Sequence, residues 1–201
     1  MKWITTLLIA MSSFAFLYAQ HETLLGDLDV IGAFGSPIVE IGTIAGETGA
    51  DVGGGGAIIL ENFFLGGYGL GTDYPDFEIP DGTFAGRYNI KYKHGGLWLG
   101  YVHNPHRVAH LFTSTKIGWG KTRMRQNGET VFSDRTFTLV PELGIEINLT
   151  DFFKLSLAGG YRWVNGVSQL PGLDNDDFSS AVGVLTFRFG GFGDNDDWDW
   201  D

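Results

Sequence analysis

The chain has 201 residues, no cysteine, and 24 acidic against 13 basic side chains, for a formal net charge of −11. That balance excludes nucleic acid as a partner, which calls for a basic stripe, and no disulfide framework closes the fold. Glycine supplies 31 residues, about twice the usual share, so small residues must serve inside secondary structure as well as in turns.

Residues 1–19, MKWITTLLIAMSSFAFLYA, combine one basic residue, an apolar run and a small residue at Ala19. They read as a secretory signal peptide cleaved before Gln20. Ser12 and Ser13 interrupt the run, and no later segment approaches the ~20 apolar residues that a spanning helix needs. Residues 20–31 form an N-terminal segment. Eight strand candidates then follow. The first covers 32–45 and the second 50–60, with a tight turn at Glu61-Asn62 before the third, 63–74. A longer connection, 75–86, contains Pro75, Pro80 and Asp81-Gly82. The fourth strand, 87–103, changes phase: Tyr88, Ile90 and Tyr92 share one parity, whereas Leu97, Leu99 and Tyr101 share the other. A bulge at His94-Gly95-Gly96 would repair that shift. Asn104-Pro105 turns the chain into the fifth strand, 107–123, and 126–134 reads as a polar loop around Asn127-Gly128.

The clearest stretch is 136–164. Phe137, Leu139, Pro141, Leu143, Ile145, Ile147 and Leu149 alternate with Thr136, Thr138, Val140, Glu142, Gly144, Glu146 and Asn148. After the turn, Leu155, Leu157, Tyr161 and Trp163 alternate with Lys154, Ser156, Ala158, Gly160 and Arg162. Period-two alternation is a strand with one apolar face. Two such strands of about fourteen residues exceed the usual soluble length of about 5–6. The polar face is also cramped, with glycine and alanine between isolated charges. Lipid outside and a narrow lumen inside account for both features. A polar connection, 165–176, and a last strand, 178–189, complete the set. The expected fold is all-β: an eight-stranded antiparallel up-and-down transmembrane β-barrel over 32–190, with ten strands as the alternative. Residues 191–201 form an acidic Asp/Trp tail.

Tight connections follow the second, fourth and sixth strands, and longer ones the third, fifth and seventh. That asymmetry matches short periplasmic turns and long outer loops. Two aromatic belts are expected at the bilayer boundaries. Phe63, Phe64, Tyr101, Phe152, Phe153, Phe187 and Phe189 mark the tight-turn end; Tyr74, Trp119, Tyr161 and Trp163 mark the other. In size, strand count and leader the chain resembles the OmpA- and OmpX-type small outer-membrane barrels. More narrowly, GAFGSPIVEIGTIAG (32–46), the Gly53–Gly56 strand, LGGYGLG (65–71) and GGLWLGYV (95–102) resemble Bacteroidota outer-membrane barrel proteins. The resemblance implies residence in the outer membrane of a Gram-negative bacterium. It also implies outer-membrane lipid and the barrel-assembly machinery as partners, the latter reading Phe187-Arg188-Phe189. The tail beyond that motif departs from the family pattern.

The lumen face offers Glu40, Lys116, Glu142, Glu146, Lys154, Arg162 and Arg188. With 151–153 as the hairpin loop, Glu142 faces Arg162 directly; the neighbouring registers place it one step away. Buried charges must be paired, so these residues are expected to form an ion-pair network that fills a monomeric, non-enzymatic barrel. A narrow channel is the alternative, as is a lipid A or phospholipid acyl hydrolase or transferase. Such an enzyme needs a His, a Ser and an acid at one membrane level. His103, His106 and His110 span a turn and match no helical metal motif, so no metal or cofactor is assigned. The Asn148-Leu149-Thr150 sequon reads as chance. The tail reads as a solvated acidic run, with docking through Trp198 and Trp200 as the alternative.

Overall fold

A computed structural model describes residues 29–72, 76–79 and 84–193. The expected signal peptide (1–19), most of the N-terminal segment, residues 73–75 with Tyr74 and Pro75, residues 80–83 and the tail from residue 194 lie outside it. The strands are β1 (Val30–Ile44), β2 (Glu47–Leu60), β3 (Phe63–Thr72), β4 (Asp76–Ile79), β5 (Gly86–Val102), β6 (Ala109–Gln126), β7 (Glu129–Thr150), β8 (Phe153–Asn165) and β9 (Ser180–Gly191). One short helix, α1 (Asn175–Phe178), precedes β9. Among the described residues, eight antiparallel strands close a ring: β1 pairs with β9 and β2, and β3 pairs with β5. The ten-strand alternative does not hold. The ninth strand, β4, only extends the sheet along the first four residues of β5.

Closure explains how a chain without disulfides holds together, since a closed ring leaves no long unpaired edge. At the turn end, β2–β3, β5–β6 and β7–β8 are joined by short turns. Asn148 Nδ2 ties the 103–108 turn down by donating to the carbonyls of Pro105 and Arg107, at 2.8 and 3.0 Å. At the loop end, Ala45-Gly46 and Asn127-Gly128 turn with positive φ at both positions. That conformation fits two-residue hairpins and favours Asn-Gly.

Three connections differ from the sequence expectation. The segment 126–134 is no loop: β6 and β7 continue through it to the Asn127-Gly128 turn. The segment 75–86 contains β4. The 166–179 connection carries α1, capped by Asp174 with Asp177 reciprocating. It is anchored to the barrel where Asp134 accepts the backbone N–H groups of Ser168 and Gln169, both at 2.8 Å.

β5 also runs without the expected bulge, because its ladders to β3 and β6 are continuous. Tyr88, Ile90, Tyr92, His94 and Trp98 all point inward, and Leu97, Leu99 and Tyr101 outward. The apolar phase changes because the surroundings change. Beside Leu97 and Leu99 the outside is apolar; further up, the outer face carries Lys91 and Lys93, and the apolar side chains close the barrel mouth instead. Ile44, Tyr88, Ile90, Tyr92, Met124 and Phe178 form that closing cluster. A second cluster of Phe34, Phe64, Trp98 and Phe112 fills the turn end.

Glycine gives these rings room. A Cβ at Gly100 would lie 2.1 Å from the Phe64 ring, and one at Gly118 would lie 2.2 Å from the Tyr68 hydroxyl. Gly100→Val should therefore overpack the turn end and destabilise the barrel by about 1–3 kcal/mol. Gly69→Ala, where a Cβ meets nothing within 4 Å, should be silent. Urea unfolding in detergent micelles checks both.

Candidate functional site: a charge-balanced lumen

Inside the ring, four carboxylates meet four cations. Glu40, Asp51, Glu142 and Glu146 face Lys116, Lys154, Arg162 and Arg188, and all eight are buried, none more than 4% exposed. Strand alternation places each of them. Glu40 stands between outward Val39 and Ile41, and Glu142 and Glu146 alternate with Leu143 and Ile145.

The register then decides the partners. Glu40 on β1 lies directly opposite Asp51 on β2, an arrangement of like charges that destabilises a sheet unless neutralised. Arg162 reaches across to both, 2.6 Å from Asp51 Oδ2 and 3.4 Å from Glu40 Oε1. The rest of its guanidinium donates to the Phe178 and Thr43 carbonyls at 3.0 and 2.9 Å. Lys116 lies below, bridging Glu40 at 3.2 Å and Glu142. The other oxygen of Glu142 accepts from Ser114 at 2.7 Å. Nearer the turn end, Arg188 pairs with Glu146 at 2.6 Å, and Glu146 also contacts His110 at 3.1 Å and Ser156 at 2.7 Å. The Arg188 guanidinium is walled by the rings of Phe34, Phe64, Trp98 and Phe112, 4.7–5.3 Å away. Lys154 sits 4.3 Å from the Phe192 ring centroid.

Glu142 and Arg162 do not face each other directly, as a 151–153 loop would require, but lie one same-face step apart. Glu142 pairs with Gly160, because β7 bulges between Asn148 and Thr150 and the turn is Asp151-Phe152 rather than three residues. Both frames keep the apolar face outward, so alternation alone could not separate them. Asp51, His94 and His110 were missed as lumen residues. Asp51 adjoins the glycine run of β2, where alternation leaves no trace. Spacing groups His110 with His103 and His106, but it turns inward onto Glu146 while His103 contacts Asn104.

The aromatic residues divide by the same rule. Phe63, Phe152, Phe189, Trp119, Tyr161 and Trp163 are exposed, whereas Tyr101, Phe153 and Phe187 are half-buried on the outer face. Several pair across strands: Phe63 with Tyr101 at 5.0 Å, and Phe153 stacked on Phe189 at 4.7 Å. Phe64 is the exception. It lies inside, 3% exposed, since adjacent residues of a strand cannot share a face.

Glu40, Asp51 and His94 offer ligand atoms within 4.8 Å of one another, a possible cation cradle. Both carboxylates already bind Arg162, and Glu40 also binds Lys116. A metal ion there would meet two fixed positive charges. Tyr68 contacts His94 Nδ1 at 3.0 Å, and His94 Nε2 and Asp51 Oδ1 have no partner among the described residues. The arrangement suits a neutral plug better than a metal centre.

These features define a small eight-stranded antiparallel β-barrel with a charge-balanced, side-chain-filled lumen. No family model and no curated protein matches the sequence. Among solved structures, the chain is similar to Neisserial surface protein A, with a TM-score of 0.57 and 8% identity over 80% of this chain and 95% of that one. It also matches Ail, the attachment invasion locus protein of Yersinia pestis, at TM-score 0.47 and 16% identity, covering 79% and 96%. The outer membrane protein OprG of Pseudomonas aeruginosa matches at TM-score 0.43 and 13% identity, covering 79% and 92%. At 8% identity the likeness to Neisserial surface protein A is one of fold.

Removing one partner of a buried pair leaves the other uncompensated, a cost of about 3–5 kcal/mol. Asp51→Ala and Arg162→Ala should each destabilise the barrel by about that much, and the double variant should lose less than the sum. Glu142→Ala with Lys116→Ala should show the same coupling. A double-mutant cycle in detergent measures it.

Proposed function

We propose that the mature chain resides in the outer membrane of a Gram-negative bacterium as a monomeric, non-enzymatic barrel. In this reading residues 1–19 are a cleaved leader, and the protein has a structural or surface-interaction role. The observation that carries the proposal is the inversion of inside and outside. Every charge of the lumen network is buried, while Leu143, Leu157, Ile41, Ile145 and Leu97 stand 49–65% exposed on the outer face. A water-soluble protein would reverse this, since contiguous apolar surface of such extent marks a membrane or a partner. The exposed rings at both ends of the strands fit boundary belts. The terminal Phe187 and Phe189, outward on β9, suit recognition by the assembly machinery.

Two alternatives find less support. An acyl hydrolase or transferase needs a His near the outer rim beside a Ser and an acid. Among the described residues, His94 and His110 point into the lumen, and His103 and His106 lie in the turn between β5 and β6. A channel needs a water-filled path, but the lumen holds paired charges between two apolar clusters.

The protein should partition with outer-membrane fractions and migrate faster unboiled than boiled in detergent gels. Recovery as a soluble monomer without detergent would overturn the proposal. Protease added to intact cells should cut within 166–179 and spare the 103–108 turn; the reverse pattern would invert the orientation. In planar bilayers the barrel should carry no steady current, and a clear open-channel conductance would make it a pore.

A further inference from the structure

Seven of the 13 Lys and Arg side chains are Arg87, Lys91, Lys93, Lys121, Arg123, Arg125 and Arg135. All belong to the loop-end halves of β5, β6 and β7, and alternation puts them on the outer wall while His94, Thr122, Met124 and Asp134 point in. In a chain of net charge −11, that is a sharp local reversal of sign. Lys93 lies directly opposite Lys121, Lys91 opposite Arg123, and Lys121 opposite Arg135. Residues so placed have Cβ atoms about 4.5–5.5 Å apart, and like charges there oppose sheet formation. Arg87 is paired with Asp76 at 2.8 Å. Lys93, Lys121, Arg123 and Arg135 have no carboxylate within ion-pair distance among the described residues.

The position of this patch matters as much as its charge. Trp119, 61% exposed, and Phe137 lie one step below it, with ring centroids 6.0 Å apart. Trp119 is directly opposite Gly95, and Gly95 is opposite Gly69. Below the basic row the wall is therefore bare backbone beside an aromatic ring. The stem of Lys93 is laid over Gly71, whose added Cβ would stand 3.3 Å from Lys93 Cγ. Lys91, Lys93, Trp119, Lys121 and Arg123 line an open depression of about 420 Å³.

We propose that this depression binds the phosphate groups of an outer-leaflet lipid. Lys93, Lys121 and Arg123 would hold the phosphates, Trp119 the carbohydrate or glycerol above the bilayer boundary, and the Gly69–Gly95 lane one acyl chain. The inference rests on the orientation proposed above, with the loop end at the outer leaflet. Charge-assisted contacts to phosphate are strong and favour Arg and Lys. The aromatic ring and bare wall distinguish a lipid from a free anion, which would use neither.

The test uses the full-length mature protein in phosphatidylcholine nanodiscs with or without diphosphoryl lipid A, bound lipid being counted by native mass spectrometry. Retention of lipid A should exceed that of phosphatidylcholine and weaken as salt is raised. The combined Lys93→Gln, Lys121→Gln, Arg123→Gln variant should bind at least about tenfold more weakly while keeping its heat-modifiable mobility. Gly69→Leu should reduce retention with the basic row intact. Equal retention by the triple variant, or equal competition by inorganic phosphate, would overturn the proposal and leave the membrane assignment standing. Failure of the wild type to enter nanodiscs would instead remove the membrane assignment itself.

Discussion

Glu40 and Asp51 face each other across β1 and β2 inside a closed barrel, and much of the interior follows from that pair. Two carboxylates at cross-strand distance in a dry space require a cation that reaches both. Arg162, on β8 and separated from β1 by β9 alone, does so. Once its guanidinium is committed, its remaining donors need acceptors, and the carbonyls of Thr43 and Phe178 supply them. The second of these belongs to α1, so the ion pair also fixes the start of the last strand. Lys116 extends the neutralisation from Glu40 to Glu142. The network thus joins β1, β2, β6, β7 and β8, strands whose backbone ladders bind only neighbours. A buried pair recovers little beyond its desolvation, yet losing one partner strands the other in the interior.

Space is the second constraint. An eight-stranded ring has an interior just wide enough for its side chains, so every large inward residue needs a small one nearby. Phe64 occupies the room left by Gly100, and the Tyr68 hydroxyl that left by Gly118. The high glycine content is the counterpart of Trp98, Phe64, Arg188 and Arg162 inside. On the outer wall the same residue type leaves bare backbone at Gly69 and Gly95, which makes glycine in this chain a device of both faces.

The fold was legible in the sequence because the apolar face of each strand looks outward along the stretch between the turn end and the level of Trp119. The alternation of Leu139 to Leu149 and the turns at Glu61-Asn62 and Asn104-Pro105 were enough to order eight strands. Partners were less legible. Alternation states which face Glu142 and Arg162 occupy but carries no information on register, and a bulge at Leu149 moved their pairing by two residues. Asp51 was lost among glycines. Aromatic character alone groups Phe64 with Phe63, whereas strand parity puts the two on opposite faces. The polarity of 126–134 suggested a loop, whereas a hairpin standing above an apolar belt has polar residues on its outer face and remains a strand.

β5 shows why a single periodicity test fails on such a chain. Its inward set, Tyr88, Ile90, Tyr92, His94 and Trp98, is the same parity throughout. What changes along the strand is the outer set, from Leu97 and Leu99 to Lys93 and Lys91. In the lower half, hydrophobicity marks the outer wall; in the upper half it marks the plugged mouth. The crossover lies at Gly95, level with Trp119 on β6 and one pair from Phe137 on β7. An exchange of apolar for basic residues on the outer wall, at the height of an aromatic ring, is what the proposed boundary between hydrocarbon and anionic headgroups calls for. A bulge would have moved side chains between faces. The observed strand keeps its geometry and lets the change of surroundings invert the pattern.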